Sequence, residues 1–503
     1  MNTKPLHDAW SQLPRQKIRT LQAAKLRAYL RDVVLPYHPH YREEFLRLGL
    51  RWDFVHTLED LQKLPFTSKQ DLMGAPDRAR EYIIAPTPEE LSSRPATMLR
   101  GLLRGREHVK RELEEEFRPL LMTSTTGRSA EPVPFVYTHH DIANLESTGS
   151  RVMEMAGAQK TDRMLNMFPF APHLAFWQTH YAATAFGVFM LSSGGGKAMG
   201  TDGNIRMLSK LKPNVLVGMP TFIYHVLHEA SLDAVRCENL RCLVLGGEKV
   251  PQGMRVKLQA LAAELGAKDV NVISTYGFTE AKMAFCQCLY PADAPASGYH
   301  LYPDLGIVEI VHPETGRIMG DGEPGEIVFT SLDSRGSCVL RYRTGDIIDG
   351  GLSYEPCRYC GRRMPQLIGS ISRKSEIREM QLDKIKGTLV DFNELEHVLD
   401  DLPNIGTWQI ELRKAHDDPH DVDELILHVA AADGMDETKI SEEIMRHVFE
   451  RTELHPNRIQ FHSTAEIRKL QGVGLMLKEQ KVVDRRSIKT GGAVASQGNK
   501  KHE

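Results

Sequence analysis

Three short segments, far apart in the chain, combine residue types suited to handling a phosphate ester. Thr123-Ser-Thr-Thr-Gly127-Arg128 supplies four hydroxyls, a glycine and a cation in six positions. Backbone N–H groups and short hydroxyls approach phosphate closely and lose little side-chain entropy in doing so. Tyr276-Gly-Phe-Thr-Glu280 joins a stacking ring, a glycine that lets the backbone come near a ligand, a hydroxyl and a carboxylate. A hard cation such as Mg²⁺ prefers that carboxylate oxygen. Tyr342-Arg-Thr-Gly-Asp346 sets an acid just behind a Thr-Gly turn, where it can accept two hydroxyls at once. Alone, each segment is a weak signal, and the hydroxyl loop by itself reads as an ordinary turn; their fixed order gives them weight.

A second constellation is made of sulfur and imidazole. Cys357-Arg-Tyr-Cys360-Gly has the spacing of one half of a zinc knuckle, in which a tight turn lets both thiolates face one ion. Cys288 and His300 complete a four-ligand set, with Cys286 as a spare, and four protein ligands make such a site structural rather than catalytic. Reduced, partly buried thiols are the alternative. Cys237, Cys242 and Cys338 read as core residues.

The elements that must carry these residues follow from the hydrophobic pattern. Apolar runs at 164–168, 215–218, 242–246 and 270–273 read as strands, and helices are predicted at 204–211, 221–230 and 252–265. Such alternation predicts an α/β domain with a largely parallel sheet. Residues 306–311 and 325–331 read as paired strands. Helical spacing over 16–50 is interrupted by Pro36 and Pro39, and the charged stretch 103–118 reads as a solvated surface helix. Beyond residue 373 a smaller α+β unit is predicted, with helices near 393–402 and 437–451 and strands near 407–413 and 424–431. The expected organisation is a large domain over 1–372 with a helical cap over 1–118, a small domain over 373–488 and a disordered tail over 489–503.

Composition narrows the function classes. At 503 residues the chain exceeds one hydrophobic core. A net charge of −3 argues against a dedicated nucleic-acid binder, and no apolar run reaches the ~20 residues of a membrane helix. The first residues lack the apolar core of a secretory signal. Seven cysteines, an odd number, suit a reducing cytoplasm, so a cytoplasmic location is expected.

Taken in order, the three segments resemble those of the adenylate-forming enzymes. The N-terminal stretch containing Tyr37-His-Pro-His-Tyr-Arg-Glu-Glu-Phe-Leu46 resembles that of phenylacetate–CoA ligase-like proteins in particular. The resemblance spans roughly residues 25–486. It implies a large α/β domain followed by a small, mobile α+β domain, and ATP-dependent activation of an aryl or acyl carboxylic acid. The acyl-adenylate would then form a thioester on coenzyme A or, in a close variant, on a carrier-protein pantetheine; a homodimer is compatible with it. By resemblance Thr123, Ser124, Thr125, Thr126, Gly127 and Arg128 cradle phosphate, and Tyr276 and Gly277 receive adenine. Thr279 contacts the adenylate phosphate, Glu280 holds Mg²⁺, Asp346 binds ribose, Arg373 contacts ribose and phosphate, and Gly247 and Glu248 line the nucleotide pocket. Lys478 takes the adenylation role, with Lys481 as runner-up, because negative charge crowds the transition state. Gly387 borders the pantetheine channel. Phe170, His173, Phe176 and Trp177 lie in an apolar, aromatic run suited to an acyl pocket.

The chain also departs from the family pattern. Ser124 stands where the loop's first glycine is expected, Arg128 at its lysine and Ser129 at its proline. Arginine keeps the charge without the compact reach of lysine. The hinge reads Ser372-Arg373-Lys374-Ser375-Glu376, in which Glu376 alone keeps an acid. A relative that binds nucleotide or acid without catalysing is therefore the alternative of another class.

Overall fold

The computed structural model describes residues 10–73, 78–84, 86–125, 132–291, 294–373, 384–385, 388–389, 392–414, 423–432, 434–452, 455–473 and 479–485. The chain divides into two compact units, Met1–Ser375 and Glu376–Glu503. The tail assigned to 489–503 lies outside the described residues.

The larger unit is organised on a nine-stranded sheet. Five strands pair in parallel: β3 (Arg163–Asn166), β4 (Phe189–Ser192), β5 (Val215–Gly218), β6 (Cys242–Leu245) and β7 (Asn271–Phe278), in the spatial order β7-β6-β5-β3-β4. An antiparallel wing of β8 (Met283–Cys286), β9 (Tyr299–His300), β14 (Gln366–Leu367) and β13 (Leu352–Ser353) continues from β7. Strands β5 and β6 are buried at every residue, as continuous apolar runs covered on both faces must be. The helices Gly195–Leu211, Pro220–Leu232 and Gln252–Glu264 begin earlier than the sequence pattern suggested at the first and match it closely at the other two. The strand expected over 164–168 ends at Asn166, where the chain leaves the sheet for the Phe168–Trp177 segment.

A four-stranded antiparallel sheet packs in the same unit, in the order β10 (Gly306–Val311), β11 (Gly325–Ser331), β12 (Tyr342–Ile348) and β15 (Ile371–Arg373). Both strands expected at 306–311 and 325–331 form within those bounds. Upstream, β1 (Pro119–Ser124) and β2 (Pro134–Thr138) make a hairpin whose connection is the hydroxyl-rich loop. The helices His139–Met155 and Leu174–Phe186 cross so closely that a Cβ on Gly149 would lie 2.6 Å from the Cα of Ala182, which explains glycine within that helix.

The N-terminal helical segment is broken where proline dictates. Arg15–Tyr29 gives way to a π-turn at Leu30–Val34 just before Pro36, which has no N–H for a regular bond and crowds the preceding turn. Pro39 then opens a new helix, Pro39–Leu48, capped by the side chain of His38. Charged residues 103–118 form two helices, Pro95–Arg104 and Arg106–Phe117, the second burying Val109, Leu113 and Phe117.

In the smaller unit, β18 (Ile405–Lys414) and β19 (Asp423–Ala431) pair antiparallel and are flanked in parallel by β21 (Val482–Asp484) and β20 (Arg458–Phe461). A two-residue pair, β16 (Lys384–Ile385) and β17 (Thr388–Leu389), precedes them. The helices Phe392–Asp401 and Glu437–Thr452 contribute Leu395, Val398, Leu399, Ile440, Ile444 and Val448 to a core with Trp408, Ile410 and Leu427. No helix among the described residues is long and apolar enough to cross a membrane.

His38 yields a pH prediction. Its Nδ1 accepts the backbone N–H of Tyr41 at 3.3 Å, the ring is fully buried, and Nε2 has no partner among the described residues. Burial, aided by His40, pushes its pKa from 6.5 down to about 3, so the folded state keeps it neutral. The unfolded chain takes up a proton below pH 6.5 and the folded chain does not, so this contribution to stability is present above 6.5 and is lost as pH falls towards 3. His38→Asn keeps a capping acceptor without that titration. Its urea midpoint should therefore fall less steeply than the wild type's between pH 6.5 and 4; parallel curves would refute the assignment.

Candidate active site and metal centre

The candidate residues gather at the C-terminal ends of the parallel strands, where open α/β sheets bind ligands. The segment Phe168–Trp177 follows β3, Gly246-Gly247-Glu248 follows β6, and Tyr276 to Glu280 end β7 and begin a single 3₁₀ turn, Thr279–Ala281. The second sheet brings Asp346 to the same place on β12, beside its antiparallel partner Arg373 on β15.

Two hydrogen bonds tie the last two sequence motifs together reciprocally. The Tyr276 hydroxyl donates to Oδ2 of Asp346 at 2.8 Å, and the Tyr342 hydroxyl donates to Oε1 of Glu280 at 2.6 Å. Each motif's tyrosine thus holds the other motif's acid. Burial, reinforced by the facing carboxylates, raises both tyrosine pKa values well above 10, so both hydroxyls remain donors. Nε of Arg373 reaches Oδ1 of Asp346 at 3.0 Å, and its terminal nitrogen donates to the Thr344 carbonyl at 2.9 Å. Although burial opposes the charge, Asp346 keeps the arginine cationic. Gly345, at φ 75°, makes the turn that lets the Thr344 hydroxyl accept the Asp346 N–H at 3.0 Å.

Of the hydroxyl loop, Thr123, Ser124 and Thr125 are described, whereas Thr126, Gly127 and Arg128 lie outside the described residues. Ser124 donates its N–H to the Pro172 carbonyl at 2.7 Å, and Nδ1 of His173 meets the Ser124 carbonyl at 3.1 Å. The first half of the loop is therefore tied to the aromatic segment. In that segment the rings of Phe170 and Phe176 meet edge-on at 5.3 Å, as do Phe176 and Trp177 at 5.2 Å, with Phe170 exposed. The carboxylate of Glu248 accepts the Thr221 hydroxyl at 2.6 Å, beside the start of the helix Pro220–Leu232. Gly277 is exposed and Thr279 half-buried.

Sequence reasoning missed two contributors. Tyr342 lies within its motif, but the partner that defines its role is 62 residues away. The other is Lys282. Buried beyond the 3₁₀ turn, its Nζ reaches Asp141 at 2.9 Å and the Val136 carbonyl at 3.1 Å, over the ring of Tyr137. The hydroxyls of Tyr137 and Thr123 are 3.4 Å apart. This strut links the Glu280 turn to the hairpin that carries the hydroxyl-rich loop. Its one sequence signal was a lysine two positions after the acid.

Gly387 and Lys478 lie outside the described residues. Lys481 is described: its Nζ sits 4.5 Å from the centre of the Trp408 ring and 3.5 Å from Asp400, so it packs within the small unit.

The sulfur and imidazole ligands converge on the antiparallel wing. Sγ of Cys288, a ring nitrogen of His300, and Sγ of Cys357 and Cys360 all lie within 4.8 Å of one another. The Cys288 and Cys357 sulfurs are 3.7 Å apart, and Sγ of Cys360 is 3.6 Å from Nε2 of His300. Zinc bonds of about 2.3 Å to sulfur at the tetrahedral angle place two sulfurs about 3.8 Å apart, so the set fits a four-coordinate ion. Cys286 instead approaches the Gln287 carbonyl. Within the cluster, hydrogen bonding to Cys357 and Cys360 pushes the Cys288 thiol up, and contact with Cys288 pulls the Cys357 and Cys360 thiols down. Cys237, Cys242 and Cys338 are buried and their thiols are raised by burial, to about 11, 12 and 12.

Residues 61–334 match the family model described as AMP-binding enzyme, and the chain belongs to that family. Within it, the chain is similar to phenylacetate-coenzyme A ligases. It is 27% identical over 413 residues to the one from Thermus thermophilus, covering 80% of each chain. To the one from Aromatoleum evansii it is 26% identical over 371 residues, 73% of each. In fold it is similar to 2-hydroxyisobutyryl-CoA ligase in its postadenylation state, with a TM-score of 0.74 at 17% identity over 97% of this chain and 94% of that one. The two-domain adenylate-forming architecture is therefore that of this chain.

For the metal centre, elemental analysis of the purified protein should find about one zinc per chain. Cys360→Ser should lose it and lower the melting temperature by several degrees, as removal of a structural metal does. Absence of stoichiometric metal, or full retention of it in Cys360→Ser, would remove the assignment.

Proposed function

We propose that this chain activates a carboxylic acid with ATP and transfers the acyl group to coenzyme A. The observation that carries the reading is the reciprocal pairing of Tyr276 with Asp346 and of Tyr342 with Glu280, which brings two carboxylates together where β7 ends against β12. The similarity to phenylacetate-coenzyme A ligases supports both the acid substrate and the thiol acceptor.

In the first half-reaction a carboxylate oxygen of the acid attacks the α-phosphorus of ATP and pyrophosphate leaves. Asp346, oriented by Tyr276 and Arg373, is the residue that would accept the ribose hydroxyls, since a carboxylate offers about four acceptor positions. Tyr276 and Gly277 face adenine, Gly247 and Glu248 line that pocket, and Thr279 meets the α-phosphate. Thr123, Ser124, Thr125, Thr126, Gly127 and Arg128 hold the departing phosphates. Mg²⁺, when bound, neutralises phosphate charge; Glu280 is the residue that would hold it. Lys478 supplies the cation for the crowded transition state, and the engagement of Lys481 with Trp408 and Asp400 favours Lys478 for that role. In the second half-reaction the coenzyme A thiolate attacks the acyl carbon and AMP leaves, with the pantetheine arm passing Gly387. The aromatic surface of Phe170, Phe176 and Trp177, with His173 at its edge, suits an aryl or other apolar acid.

ATP–pyrophosphate exchange against a panel of aryl and fatty acids tests the reading. Exchange with at least one apolar acid is expected, followed by thioester formation with coenzyme A; a carrier-protein acceptor would show exchange without that thioester. No exchange with any acid would favour a non-catalytic relative. Lys478→Ala should lower exchange by at least about a hundredfold, the scale of one electrostatic contact at a transition state. It should spare thioester formation from supplied adenylate.

A further inference from the structure

Glu280 sits on a single 3₁₀ turn, an element too short to fix a side chain by its own packing. Its carboxylate is nevertheless held. Oε1 receives the Tyr342 hydroxyl at 2.6 Å, with tyrosine 2% and glutamate 7% exposed, and this is the hydrogen bond made by that carboxylate among the described residues. No hydrogen bond to Oε2 is made among the described residues. One oxygen is anchored and the other is available.

The anchor itself is rigidly mounted. Arg341, immediately before Tyr342, adopts a left-handed conformation at φ 46°. Its guanidinium bonds both oxygens of Glu309 at 3.1 Å and the Leu64 carbonyl at 2.7 Å, and it lies 4.1 Å from the centre of the Phe66 ring. Thr67 bonds the backbone on either side of Tyr342, donating to the Arg341 carbonyl at 3.1 Å and accepting from the Arg343 N–H at 2.8 Å. A side chain so clamped aims its hydroxyl with little freedom. A phenylalanine would fill the same apolar space without the cost of burying a hydroxyl, so the hydroxyl is what the position uses.

We propose that Tyr342 is a positioning residue that fixes Oε1 of Glu280 and thereby presents Oε2 to the divalent cation accompanying ATP. The proposal rests on the reading of Glu280 as the cation's ligand. Partners that orient a metal-binding carboxylate typically alter metal affinity by about 10–100-fold when removed. A purely structural tyrosine would instead alter melting and nucleotide affinity together.

The test uses the full chain with Mn²⁺ as probe, its free signal followed by electron paramagnetic resonance in the presence of ATP. Tyr342→Phe should weaken Mn²⁺ binding about tenfold or more while leaving ATP affinity without divalent cation unchanged. Glu280→Gln should weaken Mn²⁺ binding at least as much, and the double variant should bind no worse than Glu280→Gln alone, because the tyrosine acts through the glutamate. Wild-type Mn²⁺ affinity in Tyr342→Phe, or additive losses in the double variant, would overturn the role of the tyrosine. Unchanged Mn²⁺ binding in Glu280→Gln would overturn the reading of Glu280 itself and this proposal with it.

Discussion

The crossed pair of hydrogen bonds between Tyr276 and Asp346 and between Tyr342 and Glu280 is the constraint on which the site depends. The two motifs belong to different sheets, β7 of the nine-stranded sheet and β12 of the four-stranded one, and each acid is held by a tyrosine of the other sheet. A buried carboxylate left without a donor is costly, and so is a buried phenol without an acceptor. Pairing each acid with the other motif's phenol satisfies all four groups and sets the distance between the sheets at the site. The buried Arg341–Glu309 pair and the Asp346–Arg373 contact continue the same bracing along β12, so Asp346 is carried on a strand, while Glu280, on a 3₁₀ turn, is held by Tyr342 of that strand.

Around this brace the remaining parts are attached by separate devices. Lys282 ties the turn after β7 to the hairpin β1–β2, and the bonds from Ser124 to Pro172 and from His173 to Ser124 tie that hairpin to the aromatic segment after β3. The site residues are thereby linked through polar contacts near strand ends, while the apolar sheet interior supplies rigidity. The Cys/His cluster lies on the opposite side of β7 from the parallel strands, joining the loop between β13 and β14 to the strand β9 and the residues after β8. It closes a part of the sheet made of very short strands, which have few ladder bonds of their own. A four-ligand ion there would supply the order that two-residue strands lack.

Much was legible in the sequence because it depends on local pattern. Periodicity located the α/β alternation, the strand pair at 306–311 and 325–331 and the small α+β unit, since each of these elements buries one continuous apolar face or run. The Cys-x-x-Cys-Gly spacing with Cys288 and His300 named the cluster that the fold brings together. Proline placed the breaks near 36–39, though not the π-turn that precedes them, because widening of a helix turn leaves no compositional mark.

What the tertiary structure alone decided is which side chains face one another. Order and residue type marked Tyr276, Glu280, Tyr342 and Asp346 as belonging to motifs, yet nothing local could show that the phenols exchange acids across 62 and 70 residues. Nor could it show that Lys282 is a strut, that Glu248 binds Thr221, or that Lys481 packs on Trp408 beside Asp400. Backbone propensity and hydrophobic period act over a few residues, whereas a hydrogen bond between sheets exists only once both sheets have packed. The sequence by itself determined the elements and the chemical types at their ends; packing of the two sheets determined the partners, because burial makes each unpaired polar group too costly to leave alone.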